Sequence, residues 1–269
     1  MRLLAELGED AKLLAGGQSL VPMMNFRLAR PTALVDINAL DDLDYVTRSE
    51  DGLRIGSLTR HITLEDAGMF SAPWDIVPRV ARWIGHYPIR TRGTFGGSVV
   101  HADPSAELPV LSLVFDADFD VLGPQGARSV ESATFFRGPF QVELEPEEML
   151  TGALLREPPP GARFSVHEFA RRAGDFAIVL VIAGVAVENG RCTWARIGLG
   201  GVGSVPLRAL EAERALVGAD ASEAPFREAA AVAAAHVEPL EDIHASADYR
   251  RHLVMVLVYR ALADAVAPA

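Results

Sequence analysis

Two short segments carry the residue types best suited to chemistry: Ala15-Gly16-Gly17-Gln18-Ser19 and Thr94-Phe95-Gly96-Gly97-Ser98. Adjacent glycines let a backbone approach a ligand closely and present several amide hydrogens to it. A helix opening directly afterwards adds positive dipole, which favours a phosphate, and each serine offers a hydroxyl. Either segment alone also reads as an ordinary strand-to-helix turn. Two with the same glycine–serine pattern suggest the two walls of one anion-binding cleft.

Other candidates are weaker. Gly198 to Gly203 spell G-x-G-x-x-G, but Gly201 and Ser204-Val205-Pro206 prevent a helix from opening at the third glycine, so a glycine-rich strand connection is the better reading. Histidines 61, 86, 101, 167, 236, 244 and 252 show no ligand spacing, and Cys192 is the single cysteine, so no metal ligand is expected. His101 reads as loop packing, and Trp74, Trp83 and Trp194 as core or interface. Arg171 and Arg172 face either a cofactor or solvent. No Gly-x-Ser-x-Gly elbow occurs and Ser98 has no obvious base, so no catalytic residue is expected.

The elements that must position these residues fall into three parts. To about Asn38, the pattern gives a helix over 2–7, strands at 12–14 and 34–37, and between them a helix over 20–29 that Ser19 caps. From about 53 to 155 come the second glycine segment, an apolar helix over 108–115, and strands at 119–122 and 149–155. Pro158-Pro159-Pro160-Gly161 suits neither helix nor central strand and marks a linker. Beyond it lie strands near 164–169, 178–188 and 193–199, then helices over 209–217, 224–236 and 247–266. Strands followed by helices, with no βαβ repeat, indicate an α+β domain.

The balance of the chain excludes several classes. A net charge of −11 argues against a nucleic-acid partner. No apolar run is long enough to span a bilayer and the first residues lack a signal-peptide layout, so a cytoplasmic location is expected. One cysteine fits a reducing compartment and cannot complete an iron–sulfur cluster.

The stretches AKLLAGGQSLVPMMNFRLARPTALVDI, IRTRGTFGGSVVHADPSAELP and FARRAGDFAIV, continuing through GLGGVGSVP and DIHASADYRRHL, resemble the flavin-binding subunits of the xanthine dehydrogenase and carbon monoxide dehydrogenase family of molybdenum hydroxylases. The resemblance implies an α+β chain: a two-subdomain FAD-binding fold of the PCMH type over 1–157 (subdomains about 1–50 and 51–157), then a C-terminal domain of the carbon monoxide dehydrogenase flavoprotein type over 162–269. It implies FAD with its pyrophosphate between Ala15, Gly16, Gly17, Gln18, Ser19 and Leu20 on one side and Thr94, Gly96, Gly97 and Ser98 on the other. Asp103 and Glu107 match acidic positions near the cofactor, although Asp103 before Pro104 also suits an Asx turn. Leu150 matches an apolar contact to the flavin. Phe176 stands where many relatives have tyrosine beside the isoalloxazine, keeping an aromatic wall without its hydroxyl. Compared with that family, the chain starts inside the first helix, which leaves an unpaired sheet edge as an expectation.

The implied partners are a large molybdenum-cofactor subunit and a small subunit with two [2Fe–2S] clusters, in a dimer of heterotrimers; separately, the apolar and aromatic residues around Trp83 and Tyr87 read as a contact surface. Rival readings are a flavin-free scaffold subunit and a self-sufficient NAD-dependent dehydrogenase.

Overall fold

The computed structural model describes residues 2–267. Contacts group Met1–Leu64, His86–Ala102 and Asp116–Glu157 into one compact unit, and Glu65–Gly85, Asp103–Phe115 and Pro158–Ala269 into a second.

In the first unit, Ala11–Leu14 (β1) and Ala33–Asp36 (β2) pair in parallel, with helix Leu20–Asn25 in the connection that such pairing requires. Leu13, Ala15 and Val35 pack against buried Ile37, Leu58 and Met149. The helix stops short of the residue-29 end expected from its apolar spacing. Arg27 takes a left-handed φ of 60°, and the amides of Leu28 and Ala29 both return to the Met23 carbonyl. Phe26 and Leu28 are 78% and 76% exposed, so the apolar spacing there marks no buried face.

Strands Val46–Ser49 (β3), Gly52–Gly56 (β4), Asp118–Gly123 (β5), Gly126–Glu131 (β6), the short pair Phe136–Gly138 (β7) and Gln141–Val142 (β8), and Met149–Arg156 (β9) follow in chain order. Five of them form an antiparallel sheet ordered β3-β4-β9-β5-β6. β5 alternates as its sequence dictates: Phe119 and Val121 are buried, and Asp118 and Asp120 lie on the other face. Helices Tyr87–Arg92 and Phe95–His101 complete this unit's part of the second glycine segment.

The second unit is built on an antiparallel meander, Arg163–Phe169 (β10), Val179–Glu188 (β11), Arg191–Gly200 (β12) and Leu207–Arg208 (β13). β11 and β12 join through Asn189-Gly190, both at positive φ (50° and 79°), the backbone a two-residue hairpin turn demands. Residues 179–186 are all buried, because helices cover both faces of the sheet. Helices Leu210–Leu216, Glu223–Ala235 and Ala247–Val266 share a core with β11 and β12. Helix Glu107–Val114, buried along its whole length, packs on β12 at Gly198, where a Cβ would lie 2.5 Å from Val114 Cγ2. Trp74, Phe115 and Phe164 stack in series at centroid distances of 4.8 and 4.7 Å. No helix of the described residues is long and apolar enough to cross a membrane.

Candidate functional site

In the first glycine segment the chain leaves β1 at Leu14, and Gly17 adopts φ 71°, a conformation glycine takes without strain. Gln18 Nε2 donates to the Gly16 carbonyl at 2.9 Å, closing the turn from within. Among the described residues, the amides of Gly16, Gly17, Gln18 and Ser19 donate to no protein acceptor. Ser19 does not cap the following helix as expected. Its backbone is already helical (φ −104°, ψ −48°) and its hydroxyl makes no cap bond. A cavity of about 330 Å³ opens here, lined by Ala15, Gly16, Gly17, Gln18, Asn38 and Arg92 among others.

The second segment does not precede its helix, as its sequence suggests, but opens it. Thr94 is the N-cap, and Phe95, Gly96, Gly97 and Ser98 form the first turn of the helix. Their amides are all engaged by the protein: Phe95 with Thr59 O at 2.8 Å, Gly96 with Ser57 O at 2.8 Å, Gly97 with Thr94 Oγ1 at 3.1 Å and Ser98 with Thr94 O at 3.1 Å. The glycines therefore serve close approach rather than donation. A Cβ on Gly96 would meet Ser57 Cβ at 2.6 Å.

Side chains that sequence reasoning missed join the two segments. Asn38 Nδ2 donates to the carbonyls of Ala15 (2.9 Å) and Leu14 (3.2 Å). Arg60 donates to Asn38 Oδ1 at 2.8 Å and to the Arg92 carbonyl, just before the second segment. A Cβ on Gly16 would collide with that Arg92 carbonyl and lie 2.8 Å from Gly93 Cα. Asp36, on the cavity wall, is held below the usual carboxylate range by the Asn38 amide and side chain. Beneath the second segment, His61 Nε2 lies 2.8 Å from the Thr94 carbonyl. Burial pushes this imidazole down to about 4, against the hydrogen bond to Thr94. The signal for Asn38 was its place two residues after the end of β2; Arg60 gave none.

Leu150 is buried in β9 and paired with Val121. The remaining site candidates belong to the second unit. Asp103 Oδ1 accepts from the Ser105 amide at 2.8 Å, which is the Asx turn. Glu107 begins its helix while 4% exposed, and burial, with help from Asp103, raises it to about 7. Glu168 on β10 was not anticipated: burial and then Glu107 raise it to about 9, and its Oε2 is buried without a partner. Phe176 is 59% exposed in the connection between β10 and β11, beside exposed Arg171 and Arg172. Gly198 and Gly200 lie within β12 and no helix opens at Gly203, so the G-x-G-x-x-G run is a strand and its exit. His101 packs on Phe140 with centroids 5.0 Å apart. Trp74 is buried, while Trp83 and Tyr87 are 37% and 64% exposed.

Residues 1–155 match the family described as FAD binding domain in molybdopterin dehydrogenase, and residues 164–265 the CO dehydrogenase flavoprotein C-terminal domain. The chain belongs to this flavoprotein family of the molybdenum hydroxylases. Its relatives include the 6-hydroxypseudooxynicotine dehydrogenase complex subunit alpha of Paenarthrobacter nicotinovorans, 40% identical over 99% of this chain and 90% of the relative. The carbon monoxide dehydrogenase medium chain of Afipia carboxidovorans is 34% identical over 99% and 93%. Among solved structures, carbon monoxide dehydrogenase from Hydrogenophaga pseudoflava superposes with a TM-score of 0.95 at 34% identity, covering 98% of this chain and 92% of that one. Like the family, this chain is an FAD-binding oxidoreductase subunit with a mixed helix and strand fold. The first glycine segment has the chemistry that cofactor needs: four open amides, a backbone pressed too close for any side chain at Gly16, and Arg92 on the cavity wall are suited to phosphate oxygens.

Proposed function

We propose that this chain is the electron-carrying subunit of a three-component complex. Substrate is oxidised on a large molybdenum-cofactor subunit, and electrons pass through two [2Fe–2S] clusters of a small subunit to FAD here and on to an external acceptor, the whole assembled as a dimer of heterotrimers. Bound FAD supplies the ability to exchange electrons singly or in pairs. The chain's own residues bind and orient it: Ala15, Gly16, Gly17, Gln18, Ser19 and Leu20 on one side of the pyrophosphate, and Thr94, Gly96, Gly97 and Ser98 on the other. Asp103, Glu107, Leu150 and Phe176 lie toward the rest of the cofactor. The functional division is a flavin-binding domain over 1–157 and a C-terminal domain over 162–269.

The observation that carries this reading is the cradle of four unengaged amides in the first segment, tied through Asn38 and Arg60 to the backbone that opens the second. Relatives named as medium chains or as one subunit of a dehydrogenase complex support the multi-subunit assembly. The single cysteine, buried Cys192, supports placing the clusters on another chain. The test compares the flavin-loaded chain alone with the co-expressed complex on purines, aldehydes, carbon monoxide and N-heterocycles. Turnover is expected only from the complex; equal turnover by the isolated chain rejects the proposal.

A further inference from the structure

The side chain of Arg250, on helix Ala247–Val266, is 7% exposed, yet it sits among loops rather than among apolar side chains alone. Its Nη1 donates to the Ile178 carbonyl at 2.6 Å and to the Gly201 carbonyl at 2.9 Å. Its Nη2 donates to Asp242 Oδ2 at 2.7 Å. One guanidinium thus fastens three connections: 170–178, which carries Arg171, Arg172 and Phe176; 201–206, the exit from β12; and 236–246, which leads into its own helix.

Each junction is built for it. Gly201 stands at φ 76° with its missing Cβ aimed at the Ile178 carbonyl, 2.6 Å away, so only glycine brings the two carbonyls to one donor. The Gly201 amide donates at 2.9 Å to the carbonyl of Pro104, inside the segment holding Asp103 and Glu107. Asp242 is locked on its other oxygen by the amides of His244 and Ala245 at 2.8 and 2.9 Å. Burial raises the Asp242 carboxyl, but those amides and Arg250 outweigh it, so the group titrates below its ordinary value and stays charged. Arg171, from the first connection, reaches His244 of the third at 3.3 Å.

We infer that Arg250 is a positioning residue of the flavin site, fixing the aromatic wall at Phe176 through Ile178 and the acidic segment at 103–107 through Gly201. This rests on the proposed placement of Phe176, Asp103 and Glu107 beside FAD. Three of the guanidinium's bonds have different directions, and an ammonium on a flexible stem cannot serve all three acceptors with the same rigidity. The glycine run at 198–203 thereby gains a purpose unrelated to binding a nucleotide: it lets helix Glu107–Val114 lie on β12 and delivers the Gly201 carbonyl to Arg250.

The test uses the full chain, with and without FAD, as Arg250→Lys, Asp242→Asn and Phe176→Ala. Without FAD, Arg250→Lys is expected to raise amide hydrogen exchange across 170–178 and 201–206 about tenfold, an opening easier by about 1.4 kcal/mol. Exchange within β11 should stay unchanged. With FAD, the variant should shift the visible spectrum and reduction potential of the bound flavin in the same direction as Phe176→Ala. Asp242→Asn, which keeps the buried arginine, should give the same pattern at smaller amplitude and carries the test should Arg250→Lys not fold. Unchanged loop exchange in Arg250→Lys (or in Asp242→Asn, if that variant carries the test) overturns the inference. So does an unaltered flavin in that variant while Phe176→Ala alters it, and that result leaves the flavin placement standing. If Phe176→Ala also leaves the flavin unaltered, the placement beside FAD is wrong, and the inference is overturned with it.

Discussion

The Nε2 of His61 lies 2.8 Å from the carbonyl of Thr94, the residue whose hydroxyl caps the helix of the second glycine segment. A carbonyl accepts only, so Nε2 carries the proton and Nδ1 is bare, buried and without a partner. Gly93 is packed against that face, where a Cβ would lie 2.7 Å from Nδ1. The imidazole is thus a neutral wedge beneath the segment.

Its depressed value, about 4 against 6.5, sets a pH dependence. Between those values the unfolded chain binds the proton and the folded chain does not, so stability falls as pH falls through that window. His61→Gln, which retains a donor without titrating, is expected to flatten the loss of flavin and of Tm between pH 6.5 and 4. Parallel curves for the two proteins would show that another group governs the acid limb.

The glycines of the two segments should be intolerant for different reasons. Gly17→Val forces a branched side chain into φ 71°, and Gly97→Val drives a Cβ to 2.8 Å from the capping hydroxyl of Thr94. Each is expected to weaken FAD binding by at least about tenfold, roughly 1.4 kcal/mol. The C-terminal core, far along the chain, should keep its circular dichroism. Full flavin content in both variants would remove the cradle from these segments.

A pyrophosphate requirement distinguishes FAD from FMN. With four open amides at residues 16–19, the cradle has donors for more oxygens than one terminal phosphate brings. FAD is expected to bind at least about tenfold more tightly than FMN in equilibrium titration. Equal affinities would count against the placement.

Glu168 gives the opposite pH slope from His61. Its carboxyl is raised from 4.5 to about 9, so between those values the folded chain holds a proton that the unfolded chain has lost. Stability from this group is present below 4.5 and is lost as pH rises toward 9. Glu168→Gln, neutral at every pH, should raise Tm at pH 8 relative to the parent and leave it nearly unchanged at pH 4. Each kcal/mol is worth about 2–4 °C in a protein of this size. A Tm difference that does not grow with pH would sink the assignment.

Much of this was legible because local chemistry and tertiary structure agree. The apolar runs read as strands near 178–188 and 193–199 are strands Val179–Glu188 and Arg191–Gly200. The paired glycine segments announced themselves by composition. What stayed hidden depends on tertiary neighbours. TFGGS reads as a loop because glycine is a poor helix former, yet Thr94 caps it and Ser57 takes the Gly96 amide. Arg60 reaches Asn38 and Arg92 only because the chain folds back. Glu168 sits at a strand position that looks solvent-facing until burial is known.

The middle of the five-stranded sheet is filled by its last strand in sequence, β9, which pairs Gly52 with Arg156 and Asp118 with Leu154. Closing that sheet joins backbone made at the start of synthesis to backbone made roughly a hundred residues later, a slow, non-local step. The cradle at residues 15–19 therefore emerges from the ribosome long before the sheet beside it can close. A chain that ends upstream of β9 lacks the strand that joins β4 to β5, so the five-stranded sheet cannot form in it.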